Sequence, residues 1–320
     1  MPPPPRLIVL GTGDFALPMF ERLCDSPFQV VALVTQPDRP QGRKQQLIPS
    51  RIKQAALTRG IPVFQPEDVN AEESLELIRA GEPDLLVTAA YGQILSPQLL
   101  AIPRWGGINL HGSVLPAYRG AAPVARAIQN GEVETGVTVI QMTPKIDAGG
   151  ILAVARTPIG PDETAGELEQ RLAELGAPLV VESVAAIAAG SARVLPQDHT
   201  RATKAPKLRK EDGIIDWTRS AKAVHDHVRA MQPWPAAFTY WSPSGPPGVR
   251  RLRWIVHRTA VEEGSGPPGT ILEATRDRLI AAAGSGAVRL LVLQLPGKRA
   301  LTAAEFLRGH HVSPGDRLTS

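Results

Sequence analysis

Three residues of this chain carry the side chains that acyl transfer to an amine needs: Asn109 and His111 in G-I-N-L-H-G, and Asp147 in Q-M-T-P-K-I-D-A-G-G. In a strand alternate side chains share a face, so Asn109 and His111, two apart at the end of an apolar run, point the same way. Gly112 and Pro116 then force the chain out of the sheet into a loop, and open α/β sheets bind ligands outside the carboxyl ends of their strands. An amide donor, an imidazole and a carboxylate can together stabilise an oxyanion and move the protons of acyl transfer. Taken alone, Asn-x-His at a strand end is most often a satisfied polar pair, so the spacing opens the catalytic reading without closing the other.

The elements that must hold these residues are legible from periodicity. R-L-I-V-L, V-V-A-L-V-T and D-L-L-V-T-A-A are short buried-strand runs, and they alternate with helical patterns over 14–24 and 50–60. That alternation predicts an α/β domain, an open Rossmann-like, mostly parallel sheet. E-T-G-V-T-V-I-Q-M and I-L-A-V-A-R-T-P-I predict two more strands bracketing the Asp147 loop, and 163–190 a long helix stopped by Gly190. Residues 196–208 are polar and proline-bounded, which reads as an interdomain linker. Beyond them, an amphipathic helix over 219–231 precedes the short strands R-L-R-W-I-V, G-T-I-L-E-A, R-L-I-A-A-A and V-R-L-L-V-L-Q-L, a pattern that predicts a small OB-like β-barrel. The expected organisation is a catalytic domain over 1–195, a linker over 196–208 and a barrel domain over 209–320.

Composition bounds the function. A chain of 320 residues suits two domains, and 43% apolar with 21% charged residues is the texture of a globular protein with a sizeable core. No apolar run of signal length follows M-P-P-P-P-R and none approaches a spanning helix, so a cytoplasmic protein with no membrane partner is expected. Cys24 is the single cysteine, which excludes an internal disulfide and a cysteine-rich zinc site. The net charge of +4 hides an asymmetry: residues 1–200 carry a net −5 and residues 201–320 a net +9. A basic module joined to an acidic one points to a polyanionic partner, with a merely solvated basic surface as the alternative.

The stretch N-L-H-G-S-V-L-P-A-Y-R-G-A-A-P, with D-A-G downstream, resembles the core of the 10-formyltetrahydrofolate-dependent formyltransferases. The resemblance implies Asn109, His111 and Asp147 as the catalytic set. It implies a folate site lined by Ser113, Val114, Leu115 and Pro116, with Ile94 and Leu95 of Y-G-Q-I-L-S-P along the pterin pocket. Val114 stands where the family has Leu, and Ala117-Tyr118 where it often has a basic residue and Trp. I-D-W, A-M-Q-P-W-P-A-A, G-T-I-L-E-A and L-Q-L-P-G-K-R-A carry the resemblance into the family's carboxyl-terminal domain, which aids tRNA binding. The implied reaction moves the formyl group of 10-formyltetrahydrofolate, a co-substrate, to the α-amino group of methionyl-tRNA, gripped at the initiator acceptor stem, for translation initiation. The alternative acceptor is a small amine such as an amino sugar nucleotide. A monomer that needs no metal is expected.

The same resemblance implies tRNA contacts at Arg43 and Lys44, in the loop Q-P-D-R-P-Q-G-R-K, and at Lys207 and Lys210, in K-L-R-K. Read without it, that loop is solvated surface and those lysines solubilise a linker. One pattern points elsewhere. G-T-G-D-F-A at 11–16 satisfies G-x-G-x-x-A, and Asp38 follows the second strand at roughly the distance of a ribose-binding acid. A proline-flanked Asp38 is poorly placed to reach a ribose, and the formyltransferases usually have a proline where Gly13 stands, so nicotinamide chemistry is not expected. Trp217 and Trp234 read as packing residues, and His225 and His227, two apart in a helix, face different ways and make no metal pair.

Overall fold

The computed structural model describes residues 3–41, 46–243 and 251–320. The chain divides into two compact units, the first formed by Met1–Pro123, Glu134–Pro158 and Glu169–Pro206, the second by Val124–Val133, Ile159–Leu168 and Lys207–Ser320. Two short stretches from within the expected first domain thus group with the second unit, and residues 196–206 of the expected linker belong to the first.

The elements run β1 (Arg6–Gly11), α1 (Leu17–Cys24), β2 (Gln29–Val34), the short strands β3 (Pro40–Gln41) and β4 (Gln46–Leu47), α2 (Arg51–Thr58), β5 (Val63–Phe64), α3 (Glu72–Ala80), β6 (Leu85–Ala89), α4 (Pro97–Leu100), β7 (Gly107–His111), α5 (Pro123–Gln129), β8 (Glu134–Gln141), β9 (Ile151–Pro158) and α6 (Ala165–Ala188). The main sheet of the first unit has the order β5-β2-β1-β6-β7-β8-β9. Its strands from β5 to β7 are parallel, whereas β8 and β9 turn back antiparallel. All of β6 is buried, as the unbroken apolar run of a doubly covered parallel strand requires. Ile8, Leu10, Val34, Leu75, Ile78, Leu86 and Leu99 meet in one core cluster. Alternation on β7 sends Leu110 away from Asn109 and His111, and Gly176 of α6 leaves the room in which Leu110 packs: a Cβ there would lie 2.6 Å from its Cδ1.

In the second unit α7 (Ala221–Ala230) precedes β10 (Ala237–Ser242), β11 (Leu252–Glu262), β12 (Ile271–Thr275), β13 (Arg278–Ala282), β14 (Ala287–Gln294), β15 (Ala300–Thr302), α8 (Ala303–Gly309) and β16 (Arg317–Thr319). The antiparallel order is β12-β13-β14-β11-β10-β16, with β15 on β14. The two ends of that path meet, since Ile271 N–H donates to Asp316 O at 2.9 Å and Leu318 N–H to Gly269 O at 2.7 Å. The sheet therefore curls into a half-barrel whose two ends are tied by these bonds, with β15 paired to β14 alone. Inside it Trp254 stacks on Trp241 at 5.4 Å and meets the edge of Phe306 at 5.0 Å. Trp217 is a packing residue, buried with its indole N–H on Thr239 Oγ1, but Trp234 is 49% exposed and does not share that role.

α7 buries polar side chains beside its apolar Ala221, Val224 and Val228. Asp226 and Arg229 pair at 2.8 Å, the Arg229 guanidinium also reaches the carbonyls of Gly160 and Glu163, and His225 sits between Thr259 and the Pro161 carbonyl. His227 Nδ1 lies 3.2 Å from the Gln129 amide, and burial pushes its proton affinity below the ordinary histidine value. A depressed histidine stays neutral in the fold while the unfolded chain takes up the proton, so its stabilisation is present above the unfolded value near 6.5 and is lost as pH falls through the folded value. Unfolding midpoints should therefore fall as the pH drops below about 6.5. His227→Gln should flatten that limb; an unchanged slope between pH 6.5 and 5 would show that His227 does not set it.

Candidate active site

β7 ends at the centre of the site. Its register places Asn109 beside Thr88 of β6 and His111 beside Thr138 of β8. The Thr88 hydroxyl donates to Asn109 Oδ1 at 2.7 Å, the shortest of its acceptor contacts, the others being Ile108 O at 3.1 Å and Met142 Sδ at 3.4 Å. With its oxygen engaged, the Asn109 amide keeps its NH2 as the end that can donate onward. Beyond His111 the chain leaves the sheet, and Thr138 pins the departure by donating to Ser113 O at 2.7 Å and accepting from Leu115 N–H at 3.1 Å.

His111 is buried with both ring nitrogens facing oxygen. Nε2 lies 2.9 Å from the Tyr118 carbonyl, and Nδ1 lies 3.6 Å from Asp147 Oδ2. A carbonyl can only accept, so Nε2 carries a proton here; an imidazolium satisfies both sides at once. Asp147 Oδ2 also accepts the Gly120 N–H at 2.9 Å. Asp147 has φ 47, in the left-handed region that a side chain rarely enters, and such positions cluster where a group must be aimed. Its loop is pressed close to the sheet, because a Cβ on Gly149 would lie 1.8 Å from the carbonyl oxygen of Gln141. The glycine of D-A-G is thus a requirement of close approach, not of turn flexibility.

The residues expected along the folate site fare differently. Ser113 is fully buried and its hydroxyl is spent on Ala117 O at 2.7 Å, so it shapes the loop. Leu115 is buried, while Val114 and Pro116 are half-buried beside it. Ile94 stands 63% exposed next to Leu95, which is a member of the core cluster. Lys207 and Lys210 are exposed at the start of the second unit. Arg43 and Lys44 lie outside the described residues.

The structure adds residues that the spacing of Asn109, His111 and Asp147 does not announce. Thr88 orients Asn109, and Gln197, within the expected linker, donates its amide to the carbonyls of Asp147 and Gly149 at 2.9 and 2.7 Å. A lone Gln in polar, proline-bounded sequence gives no periodic signal that could reveal it. Asp38, the ribose-binding candidate, is tied to Lys53 Nζ and accepts the Gln65 amide at 3.1 Å. The Lys53 hydrogen bond holds its carboxyl below the usual range, and a carboxylate so engaged is not offered to a ribose. Among the described residues no cluster of His, Cys, Asp and Glu could hold a metal ion, and no helix is long and apolar enough to cross a membrane. The Cys24 thiol is half-buried, and burial pushes it up to about 11, well away from thiolate chemistry at neutral pH.

Residues 5–184 match the family model described as formyl transferase, and residues 207–311 match that described as formyl transferase, C-terminal domain. The chain is 42% identical over 313 residues to a methionyl-tRNA formyltransferase of Moorella thermoacetica, covering 98% of this chain and 99% of that one. It is 46% identical over 306 residues to a methionyl-tRNA formyltransferase of Pseudomonas syringae pv. tomato, covering 96% and 95%. Among solved structures, the fold is shared with an N-formyltransferase of Helicobacter canadensis in complex with folinic acid and dTDP-3-aminofucose, at TM-score 0.65 and 18% identity over 90% of this chain and 98% of that one. It is also shared with HypX of Aquifex aeolicus in complex with tetrahydrofolic acid, at TM-score 0.63 and 18% identity; 95% of this chain is covered, and it spans about half of that protein, 46%. A match to the family model over residues 5–184, together with near-full-length identity above 40%, leaves one conclusion: the chain belongs to the formyl transferase family.

Proposed function

We propose that this protein transfers the formyl group of 10-formyltetrahydrofolate to the α-amino group of methionyl-tRNA, gripping the initiator acceptor stem. The observation that carries the acceptor is the 42–46% identity, over 94% or more of the chain, with relatives named methionyl-tRNA formyltransferase. The sugar-modifying neighbours share only the fold at 18% identity and give no argument for a sugar acceptor.

The folate donor supplies an activated formyl carbon on a nitrogen. As the methionyl amine bonds to that carbon and the carbon–nitrogen bond of the donor breaks, the amine must lose one proton and the leaving nitrogen must gain one. Asn109 donates its NH2 to the formyl oxygen as that oxygen takes on charge. His111 donates as well, which requires its Nε2–H to turn from the Tyr118 carbonyl to the substrate. Asp147 balances the imidazolium and passes the amine's proton toward the leaving nitrogen. Of Ser113, Val114, Leu115 and Pro116, the half-buried Val114 and Pro116 form the wall against which the folate lies, the buried Ser113 and Leu115 hold that wall in shape, and the exposed Ile94 beside Leu95 lends apolar surface at its rim. Arg43, Lys44, Lys207 and Lys210 neutralise phosphates of the tRNA, and the net +9 of residues 201–320 supports a sequence-independent grip. The protein works as a monomer.

The test is acceptor competition. Given 10-formyltetrahydrofolate with equal concentrations of methionyl-tRNA and an amino sugar nucleotide, the enzyme should formylate the tRNA nearly exclusively. Preferential formylation of the sugar, undiminished by excess tRNA, would assign the runner-up activity instead.

A further inference from the structure

We propose that Gln197 is a positioning residue for Asp147, and that the strap over 195–205 is part of the active site rather than a tether. The inference rests on Asp147 acting as proposed above.

Backbone and side-chain bonds along its length fasten the strap within the first unit. Ile151 and Leu195 exchange N–H···O=C bonds at 2.7 and 2.9 Å, Tyr118 N–H donates to Thr203 Oγ1 at 2.8 Å, Arg119 N–H donates to Thr203 O at 2.9 Å, and Ala205 N–H donates to Arg119 O at 2.7 Å. The strap thereby touches both loops that converge on His111: the one supplying the Tyr118 carbonyl and the one supplying Asp147. Gln197 is the element that reaches Asp147 itself. Its amide NH2 donates to Asp147 O at 2.9 Å and Gly149 O at 2.7 Å, its Oε1 accepts Arg119 Nε at 3.2 Å, and the side chain is only 7% exposed. Two carbonyls on one side and a guanidinium on the other admit only one orientation of the amide. Arg119 is anchored in turn on His199 Nδ1 at 2.8 Å.

The φ of 47 at Asp147 is not one an aspartate holds by preference, so something must over-determine it. The two bonds from Gln197 fall on the C-terminal side of Asp147, one to its own carbonyl and one to that of Gly149, and so hold the peptide planes that follow it while its carboxylate faces His111 Nδ1 and Gly120 N–H. Gln197 is not placed at the reacting atoms and acts through Asp147.

Gln197→Glu keeps size and the Arg119 contact but sets an oxygen against two carbonyl oxygens. It should lower kcat for methionyl-tRNA formylation about 10- to 100-fold, the range of a lost buried donor, with both KM values within about two-fold. Gln197→Met, which removes the donors without adding charge, should do the same and covers the case in which the glutamate variant fails to fold. Combined with Asp147→Asn, either substitution should cost little more than Asp147→Asn alone, whereas a general loss of stability would multiply. Amide exchange read on the peptide over 143–150 should rise in Gln197→Met while that of β1 stays constant, whatever acceptor the enzyme proves to use. An active parent with kcat unchanged by Gln197→Met, fully multiplicative losses with Asp147→Asn, or unaltered exchange over 143–150 would each overturn the proposal. A parent inactive on methionyl-tRNA but with faster exchange in the variant would indict the acceptor assignment alone.

Discussion

His111→Ala lowers the turnover of methionyl-tRNA formylation by about 10² or more at saturating donor and acceptor, because one oxyanion donor is typically worth roughly 3 kcal/mol in the transition state. The loss should fall on kcat, with tRNA affinity nearly unchanged, since the ring faces Tyr118 O and Asp147 rather than any surface basic group. Asn109→Ala should lose a similar factor, as Thr88 leaves its NH2 as the free donor. Asp147→Asn retains an oxygen for the Gly120 N–H but loses the charge that faces His111 Nδ1, and should be comparably damaging. Steady-state kinetics with a thermal melt alongside check all three. His111→Ala activity within a few-fold of the parent would remove the mechanism.

Reversing both exposed lysines at the start of the second unit, Lys207→Glu with Lys210→Glu, weakens tRNA binding by about 10²-fold, if each lost phosphate contact is worth about 1.5 kcal/mol. Folate binding and the first unit's melting should not respond. The slope of log affinity against log salt should shrink by about two units, one per contact. Titrations of labelled tRNA at several ionic strengths measure this directly. Affinity and slope matching the parent at every salt concentration would return the two lysines to the role of solubilisers.

The parallel strands were legible because buried on both faces they become unbroken apolar runs, as in L-L-V-T-A of β6. Asn109, His111 and Asp147 were legible for a different reason: two of them share a strand face, and the third sits in a glycine-rich loop between two clear strands. Gln197 was hidden by physics, not by noise. A strap held through isolated bridges and side-chain bonds needs neither alternation nor a helical stripe, so its polar, proline-bounded sequence looks the same as a linker's. The allegiance of 124–133 and 159–168 to the second unit was hidden too, because periodicity reveals an element's apolar face but not which core receives it. The dinucleotide pattern could be set aside from the proline beside Asp38 alone, and the structure supplies a further reason. G-x-G-x-x-A was present, yet Asp38 found Lys53 and Gln65, partners that no local motif could announce.

The most direct measurement follows the formyl group itself. Donor labelled in the formyl carbon is mixed with methionyl-tRNA and enzyme, quenched over a single turnover, and the label located by mass. Transfer predicts the label on the α-amino nitrogen of the esterified methionine, in one-to-one amount with the tetrahydrofolate released, and nearly absent at the same time points with His111→Ala. Label recovered as free formate, or on an added amino sugar in preference to the methionyl amine, would contradict formyl transfer to methionyl-tRNA.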